Sequence, residues 1–105
     1  SDPSEALGNS ITAREILDKG AARIERELVG QPAIQATLMD TMGTVYTSLG
    51  LYDPAIRLVR EAYAQRRGLL GPDHPDVSSS LAHLGEVLLL KGEYAYAGAR
   101  LEEVL

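Results

Sequence analysis

The sequence predicts an all-α protein built from antiparallel helix–turn–helix repeats stacked as an α-solenoid. Three observations carry that prediction. The chain repeats itself at an offset of 42 residues. Its apolar residues recur at helical spacing, and no apolar run alternates with period two over a useful length. Capping residues and breakers fall between the periodic segments and leave short connections. A fixed period with short connections makes successive helices antiparallel neighbours, each burying the apolar face of the next.

At the offset of 42, Gly43 maps to Gly85, Val45 to Val87, Gly50 to Gly92, Tyr52 to Tyr94, Ala55 to Ala97 and Glu61 to Glu103. Met39 and Met42 map to Leu81 and Leu84, and Val59 to Leu101. The same shift runs backwards, from Gly50 to Gly8, Ala55 to Ala13, Leu58 to Ile16 and Leu70 to Leu28. The reading divides the chain into a flank over 1–11, the second helix of a partial repeat over 12–30, a complete repeat over 32–71 and a second repeat over 74–105 that is cut short.

Each helix has its own justification. Thr12-Ala13-Arg14-Glu15 has the form of a capping box, in which threonine and glutamate satisfy each other's end of a helix. A first helix is therefore expected from about 12 to 29, with Ile16, Leu17, Ile24 and Leu28 on its apolar face. Gly30-Gln31-Pro32 ends it, and Pro32 is tolerated in the first turn of the next. The second helix is expected over 32–49, closed by Gly50, and the third over 54–68, opened by Asp53 as N-cap and Pro54. Gly71-Pro72-Asp73-His74-Pro75 is a loop dense in breakers. A fourth helix is expected over 75–91, stopped by Gly92, and a truncated fifth begins near Tyr94.

The repeated residues are mostly small or aromatic, for a physical reason. Gly43, Gly85, Ala55 and Ala97 let two helices approach closely, with a neighbour's bulk filling the space. Tyr52 and Tyr94 follow the helix-stopping glycines, where an aromatic ring can pack back across the hairpin. The pattern Met39-x-x-Met42-Gly43-x-x-Tyr46, Gly50-x-Tyr52-x-x-Ala55, Val59-x-x-Ala62 resembles the tetratricopeptide repeat signature. So does Leu81-x-x-Leu84-Gly85-x-x-Leu88, Gly92-x-Tyr94-x-x-Ala97, Leu101-x-x-Val104. The ordinary repeat is ~34 residues; a period of 42 and the Gly71–Pro75 turn are similar to the kinesin-light-chain type. The stretch Thr12 to Asp18, with Gln31-Pro32 and Leu38 to Gly43, resembles the repeat regions of bacterial eukaryotic-like serine/threonine kinases. These resemblances imply a right-handed superhelix and a protein-interaction scaffold, a module of a larger signalling protein, with the first helix of each pair lining a concave groove.

Composition narrows the function classes. The formal net charge of −5 disfavours nucleic acid and anionic membrane, both of which need a basic surface. There is no cysteine, hence no disulfide framework or thiolate chemistry, which suits a reducing, cytoplasmic compartment. Val87-Leu88-Leu89-Leu90 is far short of the ~18 apolar residues of a spanning helix. The chain opens Ser1-Asp2-Pro3 and stops at Leu105 inside an apolar pattern, which reads as a piece of a longer protein. His74 and His83 have no partner at metal-ligand spacing, and His74 fits an N-cap or turn role. No nucleophile with a base, glycine-rich phosphate loop or His-Arg-Asp loop is present. No catalytic, cofactor-binding or metal site is expected.

The expected function is to hold a protein or peptide ligand. The candidate groove residues are Thr37, Asp40, Thr41, Thr44 and Thr47 on the second helix and Ser79, His83 and Glu86 on the fourth. Short hydroxyl side chains can bond a peptide backbone, and Asp40 and Glu86 offer charge to a lysine or arginine. The alternative is structural: a spacer that forms a homodimer through exposed helix faces near Leu101, Val104 and Leu105.

Overall fold

The computed structural model describes the backbone of residues 3–104 and the side chains of residues 13–96 and 98. Among the described residues there are four helices and no strand: α1 (Pro3–Glu27), α2 (Pro32–Ser48), α3 (Tyr52–Leu70) and α4 (Pro75–Val104). The core lies where α3 wedges between α2 and α4. Ala55, Leu58, Val59 and Ala62 on α3 are fully buried against Ala36, Met39 and Tyr46 of α2 and Leu84 and Val87 of α4. Leu58 and Val59 alone stabilise the fold by about 1.5–3 kcal/mol each through burial. From α1, Ala21 is buried, with Leu17 and Ile24 packed beside it.

Gly43 shows why α2 and α3 lie so close. A Cβ there would overlap Val59 Cγ2 and stand 3.6 Å from the Ala55 carbonyl oxygen. Its counterpart Gly85 faces open space. The expectation that both glycines admit a neighbouring helix holds for the first copy and fails for the second.

The failure has a local cause. Gly50 ends α2 with φ +74°, in the left-handed region. Four residues on, Pro54 has no N–H, and its ring would clash with the Gly50 carbonyl if the helix continued. At the 42-shifted positions the chain has Ala95 and Tyr96 in place of Asp53 and Pro54. With no proline to break it, α4 continues through Gly92 to Val104, and there is no fifth helix among the described residues. Leu81 and Leu88, the counterparts of buried Met39 and Tyr46, are therefore 50% and 43% exposed. Tyr94 packs edge-on against Tyr52, ring centroids 6.2 Å apart, instead of folding across a hairpin. Lys91 Nζ clamps α4 to Asp53 at 2.6 Å. The side chains of Ala97, Leu101, Val104 and Leu105 lie outside the described residues.

Two further expectations are corrected. α1 begins at Pro3, so Thr12–Glu15 lies inside a helix instead of capping one. Pro3 suits a first helical position, and Glu5, Ala6 and Leu7 are good helix formers, so the helix propagates through the capping motif. Asp53 is not the N-cap of α3; Leu51 is, without a side-chain cap bond. His74 does behave as an N-cap: its Nδ1 accepts from the Asp76 backbone N–H at 3.0 Å.

Polar contacts join the layers. Gln35, buried on α2, donates to the carbonyls of Ile24 and Glu25 at 3.1 and 2.9 Å and so ties α2 to the C-terminal turn of α1. Arg57 on α3 bonds Glu25 of α1 at 2.6 Å. Tyr46 donates its hydroxyl to Asp18 Oδ1 at 2.5 Å. Burial, then that hydrogen bond and the Asp18 charge, push the Tyr46 phenol up from its usual value to about 12.

Gly43→Ala is expected to lower stability by about 1–3 kcal/mol, because Val59 must move. Gly85→Ala should raise it by about 0.5–1 kcal/mol, as an exposed helical glycine does on gaining a methyl group. Urea unfolding of the two variants reads the contrast. The raised Tyr46 pKa means the fold favours the neutral phenol. Its stabilisation is therefore whole below pH 10 and lost as pH rises towards 12. Unfolding free energy should fall less steeply across that window in Tyr46→Phe than in the parent chain.

Candidate functional site

α2 and α4 meet through side chains, with Asp40 and Thr44 of the one reaching Ser80 and His83 of the other, and α2 carries a row of threonines near this contact. Their hydroxyls are spent on their own helix: Thr37 donates to the Ala33 carbonyl at 3.1 Å, Thr41 to Thr37 at 3.0 Å and Thr47 to Gly43 at 2.7 Å. Thr44 lies 3.4 Å from the Asp40 carbonyl, and Ser48 donates to Thr44 at 3.1 Å. Such back-bonding to the carbonyl four residues earlier gives each hydroxyl a partner within the helix, at a slight cost in helix stability.

Asp40 turns inward. Its Oδ2 accepts from Arg66 Nη1 of α3 at 3.0 Å and from Ser80 of α4 at 3.4 Å, and its Oδ1 from His83 Nδ1 of α4 at 2.6 Å. Arg66 also donates to Ser80 Oγ at 2.8 Å and to Thr37 Oγ1 at 3.2 Å. Ser80 is fully buried, and the side chains of Arg66, Asp40 and His83 are 13%, 17% and 19% exposed. Asp40, expected to offer its charge to a ligand, here directs both carboxylate oxygens to partners on two neighbouring helices. The physical reason is that a largely desolvated carboxylate needs its partners at hand.

The structure gathers Thr44, Thr47, His83 and Glu86, with Ser48 and Val87, around an opening of about 260 Å³ between α2 and α4. Thr37 instead joins Arg66, Ile34, Leu69 and Leu70 at a larger apolar cleft of about 480 Å³ at the α2 N-terminal end. Thr41 and Ser79 are exposed on the outer flanks and line neither cavity. Glu86 is exposed and, among the described residues, has no hydrogen-bonding or ionic partner. Arg66 and Ser80 are the residues sequence reasoning missed. Arg66 stood in view within Gln65-Arg66-Arg67, but nothing in one chain says which of two adjacent arginines turns inward. Among the described residues no group of three His, Asp or Glu side chains is placed to hold a metal ion, and no helix is long and apolar enough to cross a membrane.

With the α2–α3–α4 stack established, comparison with known families is decisive. The chain belongs to the tetratricopeptide repeat family, whose model matches residues 33–105. No curated protein and no solved structure matches it. Tetratricopeptide repeats generally mediate protein–protein interactions and are typically non-catalytic scaffolds.

Breaking the Asp40 cluster on one side should be costly and non-additive. Arg66→Ala and Asp40→Asn are each expected to lower stability by on the order of 1–3 kcal/mol, less than for a fully buried pair because water reaches part of the cluster. A double-mutant cycle by urea unfolding should show the combined variant losing less than the sum. Strict additivity would mean that the two groups do not act together.

Proposed function

We propose that the chain is a protein-interaction module that holds a peptide segment of a partner on the α2/α4 face. The observation that carries this reading is the opening walled by Thr44, Thr47, His83 and Glu86, held apart at fixed spacing by the Asp40–Arg66–Ser80–His83 cluster. Thr37, Thr41 and Ser79 extend the face along its margins. Asp40 acts as the pin that positions His83 and not as a ligand contact. On this reading α2 and α3 form the complete repeat over 32–71, α1 supplies the second helix of a partial repeat over 12–30, and 74–105 form the second repeat, its two halves merged in α4. The 42-residue period and the Gly71–Pro75 turn support kinship with the kinesin-light-chain type. The Thr12–Asp18 and Leu38–Gly43 stretches support a module of a kinase-associated signalling protein working in the cytoplasm.

A second reading is favoured by one observation. Leu81, Leu88 and Leu89 leave an apolar strip of α4 uncovered, at 50%, 43% and 63% exposure, which would suit self-association through exposed helix faces.

Peptide display against the whole chain separates the two. Selected peptides should bind several-fold more weakly to Thr44→Val, Thr47→Val or Glu86→Ala and unchanged to Arg23→Ala on α1. Ligands indifferent to every α2/α4 substitution would sink the groove reading. A dimer seen by light scattering and abolished by Leu88→Glu would favour self-association.

A further inference from the structure

We infer that the ligand of the α2/α4 face is a basic, hydrogen-bond-donating peptide, a deduction that rests on the groove reading above and adds the chemistry of the occupant. A hydroxyl has one proton to donate and two lone pairs that accept. Thr47 and Ser48 give their protons to the carbonyls of Gly43 and Thr44, at 2.7 and 3.1 Å. Thr44 Oγ1 stands 3.4 Å from the Asp40 carbonyl. What these side chains turn towards a ligand is lone pairs.

The other groups agree in sign. His83 Nδ1 lies 2.6 Å from a carboxylate oxygen of Asp40, so it carries the proton of that bond. In the neutral ring the remaining nitrogen, Nε2, which faces Thr44 at 3.5 Å, is an acceptor. Glu86 is the charged side chain on the wall of the opening. The cation that could reverse this balance, Arg66, spends its donors inward on Asp40, Ser80 and Thr37. A peptide carboxylate or a phosphate would meet Glu86 and find no free donor. A lysine ammonium or arginine guanidinium would find a carboxylate and a row of hydroxyl oxygens, which is how such groups are satisfied. The net charge of −5 would also steer a cationic segment towards the surface.

The test uses the whole chain and three synthetic peptides of about ten residues, alternating glycine with lysine, serine or glutamate, read by fluorescence anisotropy at two salt concentrations. The lysine peptide should bind and the glutamate peptide should not, with affinity falling as salt rises. Glu86→Gln should weaken the lysine peptide at least five-fold and Thr47→Val about two- to three-fold. Glu27→Gln, which removes the same charge from α1, should change it less than two-fold. Glu86→Lys should admit the glutamate peptide. Failure of the lysine peptide to bind, equal binding of the glutamate peptide, or equal effects of Glu86→Gln and Glu27→Gln would overturn the inference, the last by reducing it to general attraction. A display-selected ligand that maps to the face yet is acidic or neutral would overturn the ligand chemistry and leave the groove reading standing. Selected ligands that map elsewhere would overturn both.

Discussion

The arrangement of α2, α3 and α4 depends on where Asp40 spends its charge. Its two carboxylate oxygens take Arg66 from α3, and Ser80 and His83 from α4, so one side chain of α2 fixes the positions of both neighbours. Apolar packing alone would hold α3 against α2 and α4, because hydrophobic burial is non-directional and tolerates sliding. The ionic and hydrogen-bonded contacts add direction: they set the register in which Thr44 meets His83 and leave Glu86 facing outwards. On the proposed groove reading a face built of short side chains needs that precision, since a hydroxyl cannot reach far to compensate for a misplaced helix.

The two copies of the repeat then diverge for reasons that can be traced to single residues. Asp40 has Ala82 at its shifted position, so the second copy has no carboxylate to organise a similar cluster. Leu38, partly exposed, corresponds to Ser80, which is buried in the Asp40 cluster. Pro54 corresponds to Tyr96, and with the proline goes the obligation to break the helix. Gly50 and Gly92 are the same residue at the same register, yet one turns the chain and the other lies within a helix. A glycine permits a turn; a proline four residues later compels it. The straight α4 leaves Leu81 and Leu88 uncovered and is held by the Lys91–Asp53 ion pair and the Tyr52–Tyr94 contact.

Membership of the tetratricopeptide repeat family accounts for the architecture, and tetratricopeptide repeats generally mediate protein–protein interactions. The family's fold does not dictate the ligand, because the groove is defined by side chains that the fold leaves free to vary. In this chain the side chains around the α2/α4 opening are chiefly acceptors, with the positive charge of Arg66 folded inward.

Much of the fold was legible from residues alone. Helical spacing, the 42-residue offset and the Gly71–Pro75 breakers determined an all-α repeat, and the paths of α2 and α3 followed within a few residues. So did the N-cap role of His74, since caps and turns are settled by near neighbours. Of the residues expected on the groove, Thr44, Thr47, His83 and Glu86 border one opening. The inward turn of Asp40, its bonds to Arg66 and Ser80, and the separation of Thr37, Thr41 and Ser79 from the central opening were decided by the tertiary structure. The physical reason is distance along the chain: Asp40 meets partners 26 to 43 residues away. Periodicity identifies which face of a helix a residue occupies, and only the packing of three helices determines what that residue touches.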